Sequence, residues 1–159
     1  MAVLRDNVRS VRIGEMELDL EASLGTGIVY ANEFRGKLEA PYKGILADDM
    51  LAVWHRNQPT VIEGGEDVEN PDYAGIDVEA LLRIAWAMAR AVDPEQGRPY
   101  RKGYRAFHDE AIHQPTSIFD EAALYDAVIL RLGNGITFRR PEGLAGAVEP
   151  DEAQEEPEG

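Results

Sequence analysis

Residues 76–92, IDVEALLRIAWAMARAV, form the longest uninterrupted helical pattern in the chain, and the remaining segments must be arranged to cover it. Asp77 suits the cap, because a short carboxylate accepts from the unpaired N–H groups of a first turn. Asp93-Pro94 stops the helix, since a proline disfavours helical geometry at the residue before it. At about 100° per residue, Val78, Leu81, Ala85, Met88, Ala89 and Val92 share one broad face. Glu79, Arg83 and Arg90 lie on a narrow stripe opposite, with Glu79 and Arg83 forming a stabilising i,i+4 pair. Trp86 falls on that charged stripe. A helix that only fills a core gains nothing from a tryptophan there. Either another element of the chain covers it, as for most buried tryptophans, or a partner takes it as a binding anchor.

Upstream, residues 11–20 predict a β-hairpin. Val11 and Ile13 alternate with Arg12, and Met16, Leu18 and Leu20 alternate with Glu17 and Asp19. Gly14-Glu15 suits a two-residue type II′ turn, which sets Ile13 opposite Met16, Val11 opposite Leu18 and Arg12 opposite Glu17. One face is then apolar, the other carries opposite charges, and the apolar face must rest on helices.

Ser23 reads as the cap of a helix to about Arg35. Ile28, Ala31 and Arg35 share a side, with Leu24 at its start, and Tyr30 and Phe34 form an i,i+4 aromatic pair. Pro41 interrupts. Residues 45–56 make a second amphipathic helix, with Leu46, Met50, Val53 and Trp54 on its apolar side and Asp48 and Asp49 near its positive end. Residues 57–75 read as a long polar, acidic loop, functional, mobile or partly helical. After the central pattern comes a short helix at about 103–113. Ser117 and Asp120 then resemble a capping box opening a last helix to about Leu132. Residues 136–138 suggest a short strand. From Pro141 the chain is rich in Pro, Gly and Glu; it has too little apolar surface to offset its ordering entropy and is expected to be a disordered acidic tail.

These elements predict a mainly helical α+β fold: one domain over residues 1–140, an N-terminal hairpin packed on four to five helices, and a tail at 141–159. Thirty acids against sixteen lysines and arginines give a net charge of −14. Such a charge repels phosphate backbones and anionic membranes, so no nucleic acid and no membrane partner is expected. No run approaches the ~20 apolar residues that span a bilayer, and residues 1–10 lack the apolar core of a signal peptide. The absence of cysteine removes disulfides, thiolate catalysis and cysteine metal sites, and fits a reducing cytoplasm.

Local chemistry signals are weak. His108 and His113 flank Asp109 and Glu110 as in zinc-protease helices, but they are five apart, about 140° around a helix, where the motif needs four. Gly25-Thr26-Gly27 begins like a dinucleotide fingerprint, but Tyr30 stands where its third glycine belongs. There is no phosphate-binding loop sequence. The acidic loop lacks the EF-hand alternation of ligands with its central Gly and terminal Glu. Arg98, Arg101, Lys102 and Arg105 gather with Tyr100, Tyr104 and Phe107. This cluster pairs with the chain's own acidic loop or tail, binds a protein, or, against the overall charge, binds RNA.

The order of elements adds a resemblance. A hairpin with EMELDLEAS, a helix with YANEFRGKL, a polar loop and a helix with LLRIAWAMARA resemble the tail assembly chaperones of long-tailed bacteriophages and prophages. The likeness is carried by Tyr30 and Phe34 in a Tyr-x-x-x-Phe stretch and by Trp86-Ala87, and it covers residues 11–92. It implies a non-enzymatic protein without cofactor or metal, acting in the host cytoplasm and absent from the mature virion. Its partner would be the helical tape measure protein, with the tail tube protein and self-association as further contacts. A holdase for a helical client needs apolar anchors on a charged body. Trp86, Trp54, Tyr30 and Phe34 are the candidate anchors. Two rival readings are a virion structural protein, such as a head–tail connector or tail completion subunit, and a small prophage metal-dependent enzyme using His108, Asp109, Glu110 and His113.

Overall fold

A computed structural model describes residues 5–133. The strand expected at 136–138, the acidic tail at 141–159 and the domain limit near 140 lie outside the described residues. β1 (Val8–Ile13) and β2 (Met16–Glu21) form the expected hairpin in the expected register: Ile13 faces Met16, Arg12 faces Glu17 and Val11 faces Leu18. Gly14 has φ +60°, the sign required at the first central position of the turn. Gln114 closes over that turn, its side-chain carbonyl accepting from the Glu15 N–H at 2.7 Å, and leaves no room for a Cβ at Gly14. Arg12 and Glu17 pair at 3.5 Å on the solvent side.

α1 (Leu24–Phe34) starts at Ser23, as expected. The capping partner is Thr26, fully buried, whose hydroxyl accepts from the Ser23 N–H at 3.0 Å and donates to the Glu21 carbonyl. α2 (Leu46–Arg56) follows, with Asp48 and Asp49 in its first turn and His55 and Arg56 in its last, both complementing the helix dipole. The segment expected to be a loop contains a second hairpin, β3 (Thr60–Glu63) and β4 (Glu66–Glu69), pairing Val61 with Val68. Gly64 and Gly65 both adopt positive φ, which a type I′ turn demands. Asn70, 3% exposed, ties this hairpin down by donating to the His55 and Gln58 carbonyls at 2.9 and 2.8 Å.

α3 (Val78–Arg90) is the central helix, capped by Asp77, which accepts from the Ala80 N–H at 3.1 Å. It touches β2, α1, α2 and the helical segments at 104–112 and 121–132. Only Val78, Glu79, Arg83 and Arg90 are not buried, so its apolar face is wider than the stripe its pattern predicts. α4 (Tyr104–Ile112) lies against it. The last helix differs from expectation. Ser117 does not open it but lies in a single 3₁₀ turn, Thr116–Ile118, followed by extended Phe119. The cap is Asp120, which accepts from the Ala123 N–H at 3.0 Å. α5 (Glu121–Tyr125) then continues as a π-helical segment, Asp126–Leu132. One apolar core joins the first hairpin, all five helices and the π segment, giving a mainly helical α+β architecture.

Candidate functional site

The four candidate anchors do not form an exposed set. Tyr30 is fully buried, Phe34 is 5% exposed and Trp86 is 4% exposed. Trp54 is half-buried against the core. Trp86 sits edge-on to Phe34 of α1 and Tyr104 of α4, with ring centroids 5.8 and 5.7 Å apart, and its indole N–H donates to the Lys102 carbonyl at 3.1 Å. Arg90 stacks over the same ring. The tryptophan on the charged stripe is thus covered from within the chain, by α1 and by the 102–104 segment. The expectation that Tyr30, Phe34 and Trp86 stay open to a partner is corrected accordingly: packing across elements consumes their apolar surface. Burial, with the charge of Glu79 added and Arg83 opposing, pushes the Tyr104 hydroxyl up to about 12.

The basic-aromatic cluster divides in the same way. Tyr100, Tyr104 and Phe107 pack inward, Phe107 fully buried, with Tyr100 edge-on to Phe107 at 5.3 Å. Arg98, Arg101, Lys102 and Arg105 remain exposed and form no ion pair among the described residues. The acidic hairpin at 60–69 therefore does not neutralise them.

The histidines take separate partners. His108 lies 2.9 Å from Glu79 on α3, and His113 Nδ1 lies 2.7 Å from the Asp109 carbonyl on its own helix. Among the described residues no group of three or more His, Asp or Glu side chains is placed to hold a metal ion.

What α1 leaves outside is its other face. Thr26, Tyr30 and Phe34 point into the core. Leu24, Gly27, Ile28 and Ala31 lie on the opposite side, with Leu24 84% and Ile28 55% exposed. Leu24, Gly27 and Ala31 face Ile45, Leu46 and Ala47 at the start of α2 across a groove of about 670 Å³. The floor is open because Gly27 has no side chain and nothing lies within 4 Å of where its Cβ would be. Among the described residues Arg35 supplies the one charge on the rim. Adjacent exposed apolar side chains of this kind mark a place where another surface can be received. The pattern had placed Leu24, Ile28, Ala31 and Arg35 on one side; what it could not tell is that this side faces out. Among the described residues no helix is long and apolar enough to cross a membrane. Compared with protein-family models, curated proteins and solved structures, the chain matches none of them.

Proposed function

We propose that this chain is a tail assembly chaperone of a long-tailed phage or prophage, a non-catalytic protein that holds a helical stretch of the tape measure protein. The observation that carries the binding role is the groove between α1 and α2, where Leu24 stands exposed across from Ile45, with Ile28 exposed on α1 one turn beyond Leu24. A client helix would lay its apolar face there, with side chains three and four apart meeting Leu24 and Ile28, and could approach closely over Gly27. The identity of the client rests on the sequence resemblance over residues 11–92. The anchors in this reading are Leu24, Ile28 and Ile45; Tyr30 and Phe34 fix α1 from its core side, and Trp86 packs on Phe34.

The test is co-expression with the long helical protein encoded beside this one, followed by pull-down. Leu24→Ser combined with Ile28→Ser should lose most of the captured client while keeping the unfolding midpoint, because both side chains already face solvent. Undiminished capture by the double variant would sink the groove as the binding face. Finding the chain in mature particles would count against an assembly chaperone and for a virion component.

A further inference from the structure

A second cleft, of about 680 Å³, lies between the outer side of the first hairpin and the 98–102 segment. Arg12, Arg98, Arg101 and Lys102 line it, and all four are exposed. The acids beside them are already engaged. Glu17 pairs with Arg12, and Asp19 accepts from the Ser10 hydroxyl at 2.8 Å and from the Arg98 N–H at 2.7 Å. The guanidinium groups of Arg98 and Arg101 and the ammonium of Lys102 have no carboxylate partner among the described residues. This is an unneutralised basic patch on a chain of net charge −14.

The negative charge is unevenly spread. Residues 141–159 hold seven of the thirty acids and none of the sixteen lysines and arginines, so half of the net charge lies there. Six of those acids fall within residues 149–158. The last described residue, Gly133, follows the π segment, which packs on β1, the strand that supplies Arg12 to the cleft. From Gly133 to Glu149 the intervening residues span at most about 50 Å when extended, against a radius of gyration of about 14 Å for a body of this size. The acidic stretch can reach the cleft without strain. Being tethered, it is present there at an effective concentration on the order of millimolar, so weak individual ion pairs suffice.

We propose that the cleft is the docking site of the acidic stretch 149–158 of the same chain. The stretch neutralises Arg98, Arg101 and Lys102, and so masks a patch that would attract a phosphate backbone. This assignment stands apart from the chaperone reading and uses the opposite requirement, charge where the α1–α2 groove uses apolar contact.

The test uses the full chain. It has no cysteine, so Gln154→Cys gives a single site for a nitroxide label. At low salt the label should broaden the backbone amides of residues 10–19 and 98–102 relative to its reduced form. The broadening should fade when salt shortens the Debye length to about 3 Å near 1 M. It should also vanish with Arg98→Glu, Arg101→Glu and Lys102→Glu together. Because those changes sit on the folded body, a second variant converts the six acids of 149–158 to Asn or Gln, and must abolish broadening equally. No broadening at low salt overturns the proposal. Broadening that appears only when labelled protein is mixed with a separate isotope-labelled copy assigns the cleft to a second molecule and also overturns it. Absent broadening with the same amides shifted by oligo-uridine would assign the cleft to nucleic acid instead.

Discussion

The Tyr30 hydroxyl donates to Asp49 at 2.7 Å between two helices, and Asp49 is fully buried. The same carboxylate accepts from the Lys43 and Gly44 N–H groups at 2.7 and 2.9 Å. One side chain thus ties together α1, the turn before α2 and α2 itself. Asp49→Ala would strand two backbone donors and a phenol, and should cost about 3 kcal/mol or more in urea unfolding. Tyr30→Phe removes one donor and keeps the ring, and should cost about 1–3 kcal/mol. Equal stabilities for the two variants would show that the backbone bonds to Asp49 contribute nothing.

Trp86→Ala should unfold the domain more readily instead of leaving a stable protein that has lost a partner. Its ring fills the space between α1, α3 and α4, and removing a buried aromatic costs about 3–5 kcal/mol. Chemical unfolding monitored by circular dichroism reads this directly. A purified variant with the parent midpoint would mean that Trp86 is not held as described.

Two glycines should respond in opposite directions. Gly44 has φ +77°, and a Cβ there would run into the backbone of Phe34 and Arg35. Gly44→Ala should therefore destabilise by about 2 kcal/mol or more, through both strain and overlap. Gly27 is helical and open, so Gly27→Ala should stabilise by about 0.5–1 kcal/mol. Gly27→Leu fills the groove floor, and should keep the fold while reducing client capture. Thermal midpoints and the pull-down together separate the two effects.

Alkaline pH should unfold the chain through its tyrosines. Burial raises the hydroxyls of Tyr30, Tyr42, Tyr100, Tyr104 and Tyr125 above the ordinary value of 10.0. A group whose folded value is raised favours the fold while protonated. Its contribution is fully present below the unfolded value near 10 and is lost as pH rises through the folded one, about 12 for Tyr104. Stability should hold flat up to about pH 10 and fall steadily above it. Tyrosinate absorbance at 295 nm should then rise together with the loss of helical circular dichroism. Full ionisation of all tyrosines at pH 11 with the helices intact would contradict the burial described.

Much of the framework is legible in local sequence. The first hairpin's register followed from period-two alternation and a glycine at the turn, because a one-residue slip would expose its whole apolar face. Asp77 and Ser23 marked helix starts because capping needs only neighbours in the chain. The second hairpin was also present locally, in Val61, Val68 and the Gly64-Gly65 turn. Its strands are short and acidic, and their charge hid the pattern. Ser117 misled because Ser and Asp three apart fit a cap on paper, while Asp120 fills the same role one turn later.

By itself, the sequence determined where most of the helices run, how the first hairpin is paired, and that residues 76–92 lie at the centre. Tertiary structure alone decided which face of α1 goes inward, what covers Trp86, and which cations of residues 98–105 have no ion-pair partner among the described residues. The reason is that α1 has apolar side chains on two sides, so neighbouring residues express no preference between them. The choice falls to contacts far apart in the chain, the Asp49 carboxylate for Tyr30 and the Trp86 and Tyr104 rings for Phe34. Leu24 and Ile28 are left facing solvent because their competitors found those partners.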